Sequence, residues 1–225
     1  MGGGARSSAI SVRRQLRFRG SQQSELRGGF SSGGQLGYRV VVQTIFQTSL
    51  TPEQYEKQNY QKQVPPPEIC LNCGQANSLE ALAYYRRYVT WLREVLRIWV
   101  RRFLCRHCRV SISCLPNFAQ PYRAVNTATI EAVFSGQTQK PEVQHWVPAI
   151  EPYWRRFQAH LPSLLRQVGN AFGPVPLSPS AQDFWRQLVR HCGDLASVTR
   201  QLVHQFHTCL FGNYRCHQRR PLHTE

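Results

Sequence analysis

Two Cys-x-x-Cys pairs, Cys70/Cys73 and Cys105/Cys108, bracket the stretch 74–104 and limit what this chain can fold into. A Cys-x-x-Cys turn aims two thiolates at one point, and two such turns close a tetrahedral zinc site. Gly74 follows the first pair and permits the tight backbone turn of a knuckle. Arg102, Arg106 and Arg109 flank the second pair and favour thiolate over thiol. Disulfides are the competing chemistry, but no secretory signal precedes the cysteines, and paired Cys-x-x-Cys spacing suits metal better. One Cys-x-x-Cys alone reads as a redox motif; two at ribbon spacing argue against it. The expected cofactor is therefore a structural zinc ion on Cys70, Cys73, Cys105 and Cys108, with no position open for a catalytic water. Cys114 reads as a buried strand thiol, and His107, between two ligands, as a residue pointing outward.

The residues between the knuckles alternate. Val95, Arg97, Trp99, Arg101 and Phe103 fall on one face, and Leu96, Ile98, Val100 and Arg102 on the other. Period two with β-branched and aromatic residues predicts a strand. Leu82–Val89 is its expected partner, and Val110–Cys114 a third strand. The expected fold class is α+β: a small zinc ribbon, meaning a three-stranded antiparallel sheet over 68–122, followed by a helical domain over 123–225.

The run from ICLNCG through RRFLCRHC to SCLPNFAQPYR resembles the zinc-ribbon head of bacterial insertion-sequence transposases and their orphan relatives. The likeness covers about 68–134 and is carried by Arg101, Arg102, Phe103, Cys105, Cys108, Leu115 and Pro116. It implies DNA binding, often with a helix-turn-helix beside the ribbon.

The charge balance points to the same partner. Lys and Arg total 28 against 12 acids, a formal net charge of +16 over 225 residues. Such an excess suits nucleic acid or another acidic surface, and guanidinium groups suit phosphate and guanine. Arg86, Arg87, Arg97, Arg101, Arg102, Arg106 and Arg109 are the candidate nucleic-acid contacts, with Arg93 in the same cluster. DNA is the expected partner, with RNA, a full transposase or a second copy of the chain as alternatives. No apolar run of ~18 residues predicts a membrane helix. The expected setting is cytoplasmic and reducing.

Residues 1–37 are rich in Gly, Ser, Arg and Gln and cannot bury a core, so they read as a disordered arm. A basic nucleic-acid tail and a stretch upstream of the true start, with Val40–Val42 as an alternative, both remain open. Over 38–67 a β-prone segment leads to a helix from Pro52 to about Gln61, capped by Thr51, and a linker of Pro65, Pro66 and Pro67. Asn126 or Thr127 caps a helix through Phe134. A long helical stretch follows, about 143–168, interrupted by Pro148, Pro152 and Pro162. Ser180 and Asp194 cap two further helices, Ala181–Cys192 and Leu195 to about Phe211, separated by Gly193. That pattern fits a helix-turn-helix, with Thr199, Arg200 and Gln201 as candidate base readers, and equally an ordinary helical hairpin.

Catalysis finds few carriers here. A two-metal nuclease core needs several converging carboxylates, and the two aspartates, Asp183 and Asp194, both read as helix-terminus residues. Neither a phosphate loop nor a Rossmann glycine pattern occurs, so no small-molecule substrate is expected. Cys192, His204, His207, Cys209, Cys216 and His217 are a possible second metal group without a second Cys-x-x-Cys to anchor it. A non-enzymatic, zinc-dependent DNA-binding protein is the expectation, with a protein-interaction module as the other reading.

Overall fold

The computed structural model describes residues 41–174, 176 and 178–212. The segment 1–37, Cys216 and His217 lie outside the described residues. The architecture is α+β, with four strands and six helices among the described residues. In chain order these are β1 (Val41–Phe46), α1 (Pro52–Lys57), a 3-10 turn (Tyr60–Lys62), β2 (Leu79–Trp91), β3 (Glu94–Cys105) and β4 (Ser111–Pro116). Then come α2 (Thr127–Phe134), α3 (Pro141–Gln144), α4 (Val147–Val168), α5 (Ala181–Cys192) and α6 (Leu195–Phe206).

The sheet order is β1-β4-β3-β2. The β2–β3 and β3–β4 pairs are antiparallel, as an expected ribbon requires, but β1 adds a fourth strand parallel to β4. The three-stranded antiparallel sheet is thus corrected to a four-stranded mixed sheet. The reason is that β4 would otherwise leave a free edge of backbone donors and acceptors, which the β-prone VVQTIF segment fills. A parallel neighbour needs a long crossover, and α1 with the whole β2–β3 hairpin supplies it.

The sheet core is Ile98, Val100, Leu115 and Val89, all at most 1% exposed, with Ile45 and Ala196 packed on them. Each such aliphatic side chain contributes roughly 1.5–3 kcal/mol through burial. Thr51 caps α1 with a full capping box, its hydroxyl accepting from the Gln54 N–H at 3.2 Å. That helix ends at Lys57, short of the expected Gln61, and tightens into the 3-10 turn.

Helix α4 runs unbroken through Pro152 and Pro162, against the expected interruptions. Both prolines are exposed, so the carbonyls left without an N–H donor face water. The buried stripe Ile150, Tyr153, Phe157, Leu161, Leu164 and Val168 spans both positions and holds the helix together. This stripe is core, as its helical spacing implies. Phe134 of α2 is its hub, with its ring 4.7 Å from Trp154, 5.3 Å from Trp185 and 6.0 Å from Phe211.

The helices α5 and α6 meet at Gly193, whose φ of 91° requires glycine. Helix α6 packs on β1, and its first turns are buried: Leu195 and Val198 are 0% exposed and Thr199 is 2%. A DNA-reading helix needs those N-terminal residues at its surface. No helix of the described residues is long and apolar enough to cross a membrane.

Candidate metal centre and the hairpin it anchors

The two knuckles fold alike. The Gly74 N–H donates to Cys70 O at 2.7 Å and the Arg109 N–H donates to Cys105 O at 2.9 Å, closing the same turn behind each Cys-x-x-Cys. Both closing residues are left-handed, Gly74 at φ 76° and Arg109 at φ 58°. The first knuckle is tied down by the Ile69–Ala76 bridge, the second by the Cys105 N–H to Val110 O bond.

These turns bring Cys70, Cys73, Cys105 and Cys108 together, with all four sulfurs within 4.8 Å of one another. Across the knuckles, Cys70 Sγ lies 3.6 Å from Cys108 Sγ and Cys73 Sγ lies 3.7 Å from Cys105 Sγ. A disulfide would need about 2.05 Å. A tetrahedron of sulfurs about 2.3 Å from a central ion has edges of about 3.8 Å. The four thiols can therefore hold a metal ion, and their spacing is compatible with zinc. Four sulfur donors would fill a tetrahedral shell, leaving the ion a structural part rather than a site for water.

The surroundings bias the thiols unequally. Burial would raise the Cys105 thiol, but the Cys108 N–H, at 3.5 Å, and the Ser78 hydroxyl, at 3.2 Å, bring it down to about 6. Burial pushes Cys70 and Cys73 up, against the pull of nearby backbone N–H groups. Gln75 O lies 3.0 Å from the same Ser78 oxygen and is the other acceptor within reach of its one proton. Sequence reasoning missed Ser78; its place one residue ahead of β2 is visible only once the knuckles fold together. Behind the cluster, Cys70, Cys105, Leu71, Val42 and Ile112 pack with Val203 of α6. His107 is exposed, and Cys114 is buried at 2% with its thiol pushed up to about 12.

Among the described residues this is the one group of three or more metal-ligating side chains. Of the suggested second group, His204 Nε2 is 2.8 Å from Thr44 Oγ1, and Cys192 donates to Gln201 Oε1 at 3.1 Å. Cys209 donates to Gly212 O at 3.3 Å.

The hairpin β2–β3 rises from the knuckles, and its far end is also held. Trp146 Nε1 donates to Leu92 O at 2.5 Å, and Asn126 bonds Thr90 through its backbone N–H and side-chain amide. The candidate arginines divide into two sets. Arg86, Arg87, Arg101 and Arg102 are turned to internal partners. Arg86 bonds Glu56 and Arg97 O; Arg87 bonds Gln120 O and Arg123 O. Arg101 bonds Lys62 O and Val64 O; Arg102 bonds Ser111. Arg97, Arg106 and Arg109 are exposed, as is Arg93 at the hairpin tip, and Arg106 has only a loose 3.9 Å ion pair with Glu80.

Three residue pairs directly opposed in the hairpin register each join a ring to a guanidinium: Tyr84/Arg101, Arg86/Trp99 and Tyr88/Arg97. The guanidinium carbon lies 5.9, 4.2 and 5.9 Å from the respective ring centroid. Sequence alternation gave Arg97, Trp99 and Arg101 one face, but the tyrosines opposite them depend on a register that the sequence does not reveal.

Of the expected base readers, Thr199 is corrected. Its hydroxyl lies 2.8 Å from Gln120 Oε1 and donates to Leu195 O at 2.8 Å inside the core. Gln201 accepts from Cys192, and Arg200 alone of the three is exposed.

A family model described as a domain of unknown function (DUF6431) matches residues 70–151. That span takes in both knuckles, the hairpin, β4, α2 and α3. No curated protein and no solved structure matches the chain.

Proposed function

We propose that this is a zinc-dependent DNA-binding protein, related to insertion-sequence transposases and without a catalytic core of its own. The observation that carries the reading is the four-thiol cluster at the base of an arginine-bearing hairpin in a chain of formal net charge +16. The ion welds the two knuckles and so fixes the hairpin; exposed Arg93 and Arg97 of the hairpin and Arg106 and Arg109 of the second knuckle meet phosphate. Cys70, Cys73, Cys105 and Cys108 are the ligands, and free thiols under metal suit a reducing, cytoplasmic compartment. The kinship with transposases rests on the RRFLCRHC and Leu115–Pro116 likeness. Both aspartates are occupied at helix N-termini, Asp183 bonded to Ser180 and Asp194 to the Ser197 N–H, which supports the absence of a two-metal nuclease site.

The test is metal content of the purified chain together with DNA titration. One zinc per chain is expected, with DNA affinity falling steeply between ~50 and ~200 mM salt. Cys105→Ser with Cys108→Ser is expected to lose both zinc and binding. A specific observation favours a second reading as a protein-interaction module. Ile69, beside the first knuckle, and Leu82 and Tyr84 of the edge strand β2 are 50%, 41% and 42% exposed. Zinc without salt-sensitive DNA binding would select that reading.

A further inference from the structure

One face of the hairpin, bordered by Glu56 of α1 and by the 62–64 segment, is a checkerboard. Side chains alternate along a strand, so Tyr84, Arg86 and Tyr88 of β2 share one face with Arg101, Trp99 and Arg97 of β3 directly across. Rings and guanidinium groups therefore alternate both along each strand and across the pair. Neighbouring squares on one strand are about 6.6 Å apart. Each ring is held by its opposed arginine, and Arg101 also lies 5.1 Å from the ring of Phe103, the next residue on that face, which is buried against Val64 and Tyr60. Tyr84 is 42% exposed and Arg97 is exposed, while Arg86, Tyr88, Trp99 and Arg101 are half-buried.

Flat π surfaces interleaved with fixed positive charge complement a polymer that alternates flat bases with negative phosphates. Base–aromatic stacking and cation–π contact are the recurring means of holding an unpaired strand. A duplex does not offer those surfaces. It hides its base faces in the stack and presents phosphates and groove edges. Nor is this hairpin a free ribbon able to enter a major groove, because the four-thiol cluster holds its base and Trp146 holds its tip.

Resting on the DNA-binding reading above, we infer that this face binds single-stranded DNA. Bases stack on Tyr84, Tyr88 and Trp99, and phosphates lie against Arg97 and, at the tip, Arg93. The buried first turns of α6, with Thr199 at 2% exposure, agree with this, since that helix does not present its N-terminal residues to a groove.

The experiment is a set of anisotropy titrations of the zinc-loaded chain at matched salt concentrations between ~50 and ~200 mM. The probes are a ~12-nucleotide oligothymidylate, within the usual single-strand site sizes, a duplex of equal length, and the matching oligouridylate. Single-stranded DNA is expected to bind at least ~10-fold tighter than duplex. Tyr84→Leu and Tyr88→Leu are each expected to weaken it ~5- to ~100-fold, with the salt slope unchanged. Arg97→Gln should instead make the slope shallower by about 0.7. Zinc content of each variant guards against misfolding, and Tyr84, the most exposed ring, is the variant least able to disturb the fold. Duplex bound as tightly as single strand, or unchanged affinity in both tyrosine variants, overturns the inference and leaves the DNA-binding reading standing. Tighter oligouridylate binding overturns it in favour of RNA. Binding to none of the three probes sinks both readings.

Discussion

Arg86 lies directly across the hairpin from Trp99, its guanidinium carbon 4.2 Å from the ring centroid, and Glu56 of α1 holds both. Glu56 Oε1 accepts from Arg86 Nη1 at 2.6 Å, and Oε2 accepts from the Trp99 N–H at 3.2 Å. One carboxylate thus caps a strand donor left beyond the end of β4 and neutralises one square of the checkerboard.

Glu56→Gln keeps the shape and the acceptor but removes the charge. The Arg86 and Glu56 side chains are each about a third exposed, so solvent screens the pair and its loss should cost less than about 1 kcal/mol in thermal unfolding. The freed positive charge should tighten DNA binding and steepen its salt slope by up to about one. An unchanged slope would place the bound phosphates away from Arg86.

How much of this was legible beforehand depends on the range of the interaction. The knuckles and the β3 alternation are local patterns, and they led directly to the four thiols and to the Arg97–Trp99–Arg101 face. The caps at Thr51, Asn126, Ser180 and Asp194 were equally local. What escaped was long-range. The parallel pairing of β1 with β4 joins Val41 to Ser111, and no spacing rule announces it. Pro152 and Pro162 read as breaks because the stripe that outweighs them pays off only when packed on Phe134 and its neighbours. Thr199 read as a surface residue because its partner, Gln120, lies in a loop far away in sequence.

The second knuckle carries a built-in strain that the first avoids. Arg109 sits at φ 58°, where a side chain costs roughly 1–2 kcal/mol and glycine nothing. Gly74 fills the matching place in the first knuckle at φ 76°. Arg109→Gly should therefore raise the melting temperature of the zinc-loaded chain, by a share of that figure, since glycine also loosens the unfolded state. It should weaken DNA binding slightly through the lost charge. A fall in melting temperature would mean that the arginine side chain has a structural role its exposure does not reveal.

Asn126 ties the hairpin to the helical part and is 4% exposed. Its Oδ1 accepts from the Thr129 N–H at 2.9 Å as the cap of α2, and its Nδ2 donates to Thr90 O at 2.9 Å. Asn126→Ala removes the cap and leaves the Thr90 carbonyl without that donor. The expected loss is about 2–4 kcal/mol by chemical denaturation, the sum of a helix cap and a buried polar group left unsatisfied. Asn126→Asp should keep the cap but not the donor, and fall between the two. Equal stability of the alanine variant and the parent would show that the Asn126 side chain adds nothing to the backbone bonds and Trp146 in holding the hairpin tip.

The thiols give stability two opposite dependences on pH. In the chain stripped of metal, burial holds Cys70, Cys73 and Cys114 above the ordinary thiol value of 9.0. Their contribution is fully present below about 9 and is lost as pH rises, because the unfolded chain ionises first. Cys105 has the reverse sign. Its value of about 6 lies below the ordinary one, so its contribution is present above about 9 and is lost as pH falls through about 6. With zinc bound, all four ligands are thiolates, protons compete with the metal, and stability should drop on the acid side as the ion leaves. Melting curves over roughly pH 5 to 10, with and without a chelator, read this directly. The loaded chain should decline less on the alkaline side than the stripped chain, since of these raised thiols only Cys114 still loses its contribution there. Parallel alkaline decline in both would exclude metal-held thiolates at Cys70 and Cys73.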